Sequence, residues 1–333
     1  MTISRRNLAL SLAMLALLAV VSLSPQLLGA HVASAFESLR GADPRWLLLG
    51  AAGFVGAFVC TVGSWRAALA AAGGRICPKQ AAARLAVGSM VNAFAPAKLG
   101  DAIKIALCSK AIDAPGRIWT AGGVYAALAA ARSLMLAALL VVAFASGAMP
   151  LWPVFVLLGI VAALAVAATF SGRLRRHPRI AHVLDGLAAL ERSPRALATV
   201  LAWTAGMVVA RVAATVAVSA ALGIPHPVLA ALLILPALDV ASAFPVTPGS
   251  IGVGSGAVAV ALASRGIGMT QALGVGFAMQ ALETLVSITT GVAGVLYLAK
   301  PGAALRRWTI RLAILGASAA AATGLSLLVF DAI

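Results

Sequence analysis

The chain has 333 residues, of which 62% are hydrophobic and 10% are charged, and its mean hydropathy is +1.04. Soluble globular domains carry about 25% charged residues, so this composition excludes a soluble fold. Apolar runs of roughly 20 residues recur, which predicts an all-α polytopic membrane protein. The formal net charge is +16, but the basic residues lie in short loops beside apolar runs, which favours anionic lipid headgroups as partners and argues against nucleic acid.

The first apolar run, Leu8 to Leu28, follows Arg5 and Arg6. It predicts a membrane span whose N-terminus is cytoplasmic, because positive charge stays on that side. A cleaved signal peptide is the alternative, since Ala33-Ser-Ala35 resembles a cleavage site. A second span, Trp46 to Leu69, then leads to a basic loop and brings the chain back to the cytoplasm.

Two short apolar arms follow, over residues 79–95 and 99–112. The stretch from Pro96 to Lys104, at the turn and the start of the second arm, holds two residues that interrupt a helix, Pro96 and Gly100. It also holds three charged residues at three-residue spacing, Lys98, Asp101 and Lys104. Non-helical backbone and charge persist at membrane depth only inside protein or beside a wet cavity. We therefore expect a re-entrant hairpin over residues 79–112, entered from the cytoplasm.

Five further long apolar runs are predicted to span the membrane: Thr120–Ala145, Leu151–Phe170, Ala196–Leu222, Ala272–Leu298 and Ile310–Phe330. A second hairpin, over 228–264 and entered from outside, is interrupted by Pro245 and Pro248. This assignment places seventeen of the 25 basic residues in the cytoplasm. The predicted fold has about seven transmembrane helices and two re-entrant hairpins in an inverted-repeat arrangement. It forms a single domain, 1–333, with halves at about 1–146 and 150–333.

The first hairpin is a candidate anion site. A helix that restarts after Pro96 directs free N–H groups and a positive dipole end towards the tip. Lys98, Asp101 and Lys104 share roughly one helical face, which suits a phosphate-sized anion. Alternatively, Asp101 and a lysine form an internal ion pair that only holds the hairpin. The second hairpin offers N–H groups and hydroxyls, or close packing through small residues; its candidate residues are Pro245, Thr247, Pro248, Gly249, Ser250 and Gly252.

Four more charged residues fall at membrane depth: Arg132, Arg211, Asp239 and Glu283. They form either a neutral structural network or a path for a proton or a headgroup. The three cysteines lie far apart, and the four histidines lie in loops or at span ends. We therefore predict neither a metal site nor a cofactor.

The chain resembles the flippase-like integral membrane family typified by the transmembrane part of lysylphosphatidylglycerol synthases. The first family pattern falls on Asn92, Pro96, Lys98, Gly100, Asp101 and Lys104. The second falls on Pro245, Pro248, Gly249, Ser250, Gly252 and Val253. The chain departs from the family at Ser255, where a glutamate is usual, and at Ala131. The resemblance implies lipid translocation with both hairpins forming the substrate site, and it does not imply lipid synthesis.

The sequence thus predicts a non-enzymatic, multi-pass protein of the cytoplasmic membrane that moves an anionic or phosphate-bearing lipid between leaflets. A membrane enzyme acting on lipid-linked substrates is one alternative, although the nine acidic residues never cluster in sequence. A non-transporting scaffold of a cell-envelope complex is the other. Candidate protein partners are a second copy of the chain and a cell-envelope enzyme.

Overall fold

A computed structural model describes residues 41–95, 98–147, 188–190, 192–243 and 253–299. The regular structure in these ranges is helical. The helices are α1 (Pro44–Ala71), α2 (Pro78–Phe94), α3 (Leu99–Cys108), α4 (Arg117–Ala145), α5 (Pro194–Ala221), α6 (Pro227–Ala243), α7 (Val253–Ala263) and α8 (Met269–Leu298). A 3₁₀ turn, Ser109–Ala111, follows α3. Three predicted spans, at 8–28, 151–170 and 310–330, and the turn of the second hairpin lie outside the described residues.

Local sequence explains where several helices begin. Proline occupies the first position of α1, α2, α5 and α6, where its missing N–H has no helical partner to lose. The Asp43 carboxylate accepts from the Arg45 amide at 2.9 Å, and the Ser193 hydroxyl accepts from the Ala196 amide at 3.3 Å. These caps satisfy free N–H groups at the starts of α1 and α5.

Four helices, α1, α4, α5 and α8, are long and apolar enough to cross a membrane. Their outward faces carry exposed leucine and valine, as at Leu48, Leu134 and Val209. Lipid-facing surfaces have this composition because the hydrocarbon core of the bilayer contains no water to solvate polar side chains. The structure therefore confirms a multi-pass helical membrane protein and four of the predicted spans, with ends that differ from the prediction by a few residues.

The helices α1 and α5 run antiparallel in close contact. The Asp43 amide, before α1, donates to the Ala221 carbonyl at the end of α5, at 3.2 Å. Further along, Gly53 faces Ala214 and Gly63 faces Trp203. Small residues allow such backbone approach, which is how helices associate when lipid replaces water.

The helices α2 and α3 form an antiparallel helical hairpin, here the first hairpin. Gly88 in α2 lies against Gly100 in α3, so that a Cβ on Gly88 would be 2.7 Å from the Gly100 carbonyl oxygen. The two ends of the hairpin also meet, since the Arg75 amide donates to the Ala111 carbonyl at 3.0 Å. Both ends therefore lie beside the C-terminal end of α1.

The helices α6 and α7 form the second hairpin. Leu238, near the end of α6, contacts Gly254 at the start of α7. The Gln271 side chain, just after this hairpin, donates to the Leu222 carbonyl at the end of α5, at 2.9 Å. Because α1 and α5 are antiparallel, the two hairpins have their ends at opposite ends of the α1/α5 pair.

Gly100 has a different role from the predicted one. We expected it to relax the backbone at the turn, yet it is a regular residue of α3. Its hydrogen side chain permits contact with Gly88 and Asn92, which any Cβ would block. The left-handed residue at the turn is Lys98, with φ 54° and ψ 34°.

The α1/α5 contact predicts a difference between two neighbouring glycines. A Cβ on Gly53 would lie 2.8 Å from the Ala214 Cβ and 3.0 Å from its Cα. Gly53→Ala should therefore destabilise the protein by about 1–3 kcal/mol, the usual cost of overpacking. The measurement is thermal unfolding in detergent.

Gly56→Ala is the matched control, because its nearest neighbour would be the Ala210 Cβ at an ordinary 3.7 Å. We expect no loss there, and a gain of up to about 1 kcal/mol from helix propensity. Equal melting temperatures for the two variants would contradict the described packing of α1 on α5.

Candidate functional site

A cavity of about 390 Å³ lies between the long helices and the two hairpins. Ligand pockets commonly measure roughly 300–1,000 Å³, so this cavity is large enough for a lipid headgroup. Three residues that line the cavity lie near the middle of long helices: Arg132 in α4, Arg211 in α5 and Glu283 in α8. Such a position corresponds to mid-depth in a membrane.

In the described part of the chain, seven charged side chains line this cavity: Lys98, Asp101, Lys104, Arg132, Arg211, Asp239 and Glu283. Two groups that the sequence indicated separately, the charges of the first hairpin and the intramembrane charges, therefore share one site. Lys98 comes from the turn of the first hairpin, and Asp239 comes from α6 in the second.

Asp101 is the hydrogen-bonding centre of the first hairpin. One carboxylate oxygen accepts from the Asn92 amide at 2.8 Å and from the Lys104 ammonium at 3.0 Å. The other accepts from the Tyr125 hydroxyl of α4 at 2.8 Å. Asp101 therefore connects the two arms of the hairpin and fixes them to α4.

Lys98 differs from the other lysine of the site. It is exposed, and among the described residues it makes no ion pair. Its left-handed backbone is uncommon outside glycine and costs roughly 1 kcal/mol or more. The hairpin thus presents an unpaired ammonium group to the cavity from a constrained backbone.

The four intramembrane charges form a chain of ion pairs. Arg132 Nη2 donates to Asp239, which also lies 3.7 Å from Arg211 Nη1. Arg211 Nη2 in turn lies 3.7 Å from Glu283. The Nε atom of Arg211 is buried and has no hydrogen-bond partner in the described part of the chain. Its guanidinium therefore keeps donor capacity for an anionic ligand.

The helix α4 supports both sets of charges. Tyr125 bonds Asp101 of the first hairpin, and Arg132 bonds Asp239 of the second. Residues seven apart lie on one face of a helix, so a single stripe of α4 reaches both. The Trp65 ring, 6.2 Å from the Tyr125 ring, packs beside it from α1.

Sequence reasoning did not identify Tyr125. Its signal was a phenol in the middle of an apolar run, where a buried hydroxyl needs a partner. The sequence also gave no special place to cavity hydroxyls on the long helices, and these are Thr61, Ser64, Ser133, Thr204, Ser287 and Thr290. Threonine and serine are common in membrane helices, so their type alone does not indicate a site.

Two predicted site residues have supporting positions. Asn92 holds Asp101, and Gly100 is buried in the contact between α2 and α3, so neither lines the cavity. The remaining predicted substrate residues lie outside the described ranges: Pro96, Pro245, Thr247, Pro248, Gly249, Ser250 and Gly252. Ser255 is buried against Gly276 of α8.

Long apolar helices around a charged cavity at mid-length define a polytopic membrane protein with an internal polar site. The chain belongs to the family described as the lysylphosphatidylglycerol synthase TM region, whose model matches residues 7–291. This confirms the resemblance seen in the two hairpin patterns and relates the protein to lipid handling. No curated protein matches the chain significantly.

The Asp101–Lys104 pair can be tested with a double-mutant cycle. Both side chains are partly exposed, at 18% and 16%. Asp101→Asn leaves Lys104 without its carboxylate partner. The free energy of unfolding should fall by up to about 3 kcal/mol, the lower end of the loss seen when one partner of a buried ion pair is removed. Adding Lys104→Gln should recover part of this loss, because the unpaired charge is then gone. Folded yield and thermal unfolding report the result.

Asp113→Asn is the control, since Asp113 is exposed outside the cavity. It should leave both measurements unchanged. Additive losses in the double variant would mean that the two side chains do not interact.

Proposed function

We propose that the protein translocates an anionic or phosphate-bearing lipid between the leaflets of the cytoplasmic membrane. The candidate substrates are phospholipids, aminoacylated phospholipids and polyprenyl-phosphate-linked lipids. The observation that carries the proposal is the Lys98 ammonium, which has no ion-pair partner among the described residues, in a charged cavity at mid-length of the helices. A phosphate is the lipid group that such a cation binds best.

A polar cavity at this depth lowers the main barrier to lipid exchange. A charged headgroup that enters hydrocarbon loses its hydration, at a cost of several kcal/mol. Lysine, arginine and hydroxyl groups of the cavity replace that water with fixed donors and acceptors. The acyl chains can stay in lipid meanwhile, because only the headgroup needs shelter.

The arrangement of the helices supports transport. Helix lengths run long, short, short, long in α1 to α4 and again in α5 to α8, and the first helices of the two sets are antiparallel. Inverted repeats whose broken helices meet near the midplane are typical of transporters. We propose that both hairpins are re-entrant from opposite faces, within about seven spans whose N-terminus is cytoplasmic.

Binding and movement of the lipid, without bond formation, make up the proposed activity. The name of the family refers to a synthase, whereas the cavity of this chain is built from charged side chains and hydroxyls that suit recognition. The proposed protein partners are a second copy of the chain and a cell-envelope enzyme.

Substitutions at Lys98 test the proposal directly. Lys98→Ala removes a charge-assisted contact worth roughly 1.5–3 kcal/mol, so exchange at limiting lipid should fall about ten- to a hundredfold. Lys98→Arg should retain much of the activity, since charge is the main requirement. Lys98→Gly should relieve the left-handed backbone and keep or raise stability, while exchange is still lost. Leaflet exchange of labelled lipid in proteoliposomes gives the rate per folded molecule.

Lys110→Ala is the matched control, because Lys110 is exposed and does not line the cavity. It should exchange lipid at the wild-type rate. Normal exchange by Lys98→Ala at limiting lipid would exclude Lys98 from the substrate site, and no exchange by the wild type would favour a scaffold.

The proposed orientation is testable through the native cysteines. Cys77, before α2, is exposed, whereas Cys108 is buried. With Cys77 as the sole cysteine, an impermeant thiol reagent should label permeabilised but not intact cells. In a cysteine-free background, Arg117→Cys should behave like Cys77, because both ends of the first hairpin meet. Arg45→Cys, at the other end of α1, should react in intact cells. If positions 77 and 117 both react in intact cells, the proposed orientation is wrong and must be reversed. If only one of the two positions reacts, the two ends of the hairpin lie on opposite sides of the membrane, and the hairpin is not re-entrant.

A further inference from the structure

The formal charges of the cavity do not cancel. Within the described residues its lining carries four cations and three carboxylates, and therefore a net charge of +1. Residues 96–97 and 244–252, which lie outside the described ranges, contain no charged side chain. Every carboxylate of the described lining lies within ion-pair distance of a cation. The positive excess of this lining therefore belongs to Lys98, which makes no ion pair in the described part of the chain.

This excess ranks headgroups by their own charge. An uncompensated charge is costly in surroundings of low dielectric constant, so the occupied cavity is most stable when its total is zero. A headgroup with one negative charge brings the total to zero. A zwitterionic headgroup leaves it at +1, and an aminoacylated headgroup with a net positive charge raises it to +2. No carboxylate in the described lining is left over for an added amine.

The hydroxyl groups of the cavity add a second preference. Four of them donate their hydrogen to a carbonyl of their own helix: Thr61 to Ala57 at 2.8 Å, Ser64 to Thr61 at 3.0 Å, Thr204 to Val200 at 2.7 Å and Thr290 to Val286 at 2.6 Å. A hydroxyl that has donated its hydrogen keeps only lone pairs. These side chains, from α1, α5 and α8, therefore offer acceptors to the cavity.

The remaining lone pairs of these hydroxyls can accept hydrogen bonds from donor groups of a ligand. Ammonium groups and hydroxyl groups both donate, but the positive excess disfavours an ammonium group. Hydroxyl groups satisfy the acceptors without changing the charge. The two observations together describe a single kind of headgroup.

We infer that the cavity selects a lipid whose headgroup carries one phosphodiester charge and hydroxyl groups, such as glycerol or a sugar, but no amine. This inference rests on the proposed translocation and narrows its substrates. It separates this chain from handling of the aminoacylated lipid that gives the family its name.

Four labelled lipids distinguish the contributions in proteoliposomes of phosphatidylcholine. Phosphatidylglycerol has one charge and hydroxyls, phosphatidylmethanol has the charge alone, phosphatidylethanolamine is zwitterionic and lysyl-phosphatidylglycerol is cationic. We expect phosphatidylglycerol to exchange about tenfold faster than the zwitterionic and cationic lipids. It should exchange several-fold faster than phosphatidylmethanol.

Charge variants should shift the selectivity in opposite directions. Glu283→Gln raises the cavity charge to +2 and should widen the ratio of phosphatidylglycerol to phosphatidylethanolamine exchange. Lys98→Gln lowers the charge to zero and should narrow that ratio, whatever it does to the absolute rate. Ratios are taken per folded molecule from one preparation, so that a loss of yield does not affect them.

Hydroxyl variants test the second preference. Thr61→Val and Thr290→Val remove acceptors without a change in volume and should bring the phosphatidylglycerol to phosphatidylmethanol ratio towards one. Thr289→Val is the matched control, because Thr289 donates within α8 in the same way, at 2.8 Å, but is exposed and outside the cavity. It should keep the wild-type ratio.

The outcomes separate this inference from the function on which it rests. If none of the four lipids exchanges, translocation of phospholipids fails as the proposed function, and this inference fails with it. If lysyl-phosphatidylglycerol or phosphatidylethanolamine exchanges as fast as phosphatidylglycerol, translocation stands and the charge selection is overturned. Equal rates for phosphatidylglycerol and phosphatidylmethanol in the wild type would overturn the hydroxyl preference.

Discussion

A charged group in apolar surroundings is stable when it has a partner of opposite charge or a hydrogen-bond partner. In this protein one carboxylate in each hairpin supplies such contacts. Asp101 takes three donors in and around the first hairpin, and Asp239 pairs with arginines from α4 and α5. Because Tyr125 and Arg132 share one face of α4, this helix holds the two hairpins at a fixed separation. The cavity is the space left between these anchored parts.

Small residues provide the other means of assembly. Lipid tails are as apolar as the helices, so hydrophobic burial does not drive helix association in a membrane. Close packing of the helix backbones stabilises the association instead. Glycines lie in the contacts of α1 with α5, α2 with α3, and α7 with α8, and Gly291 and Gly294 lie where α8 meets α2. The structure thus has two parts: a scaffold packed through tight glycine contacts and a polar centre held by ion pairs.

Most of the helical plan was predictable from the sequence, because membrane spans depend on local hydropathy and loop charge. The first hairpin followed from a break in an apolar run between basic ends. The contacts of the site were less accessible, since Asp101 meets Tyr125 across 24 residues and Arg132 meets Asp239 across 107. Gly88 gave no signal either, because its role exists only when α3 lies against it. Pairing is a tertiary property, and the spacing of residues in one chain does not encode it directly.

The glycine contact inside the first hairpin also has a mechanical consequence. Because Gly88 lies against Gly100, the two arms cannot slide or separate without loss of this contact. The hairpin is therefore a rigid unit. Glycines with positive φ flank it, Gly73 at 80° and Gly116 at 76°. The second hairpin has the same flanks, Gly223 at 67° and Gly266 at 78°. Backbone rotation is least restricted at glycine, so the chain enters and leaves each hairpin through a residue that accepts a left-handed turn without strain.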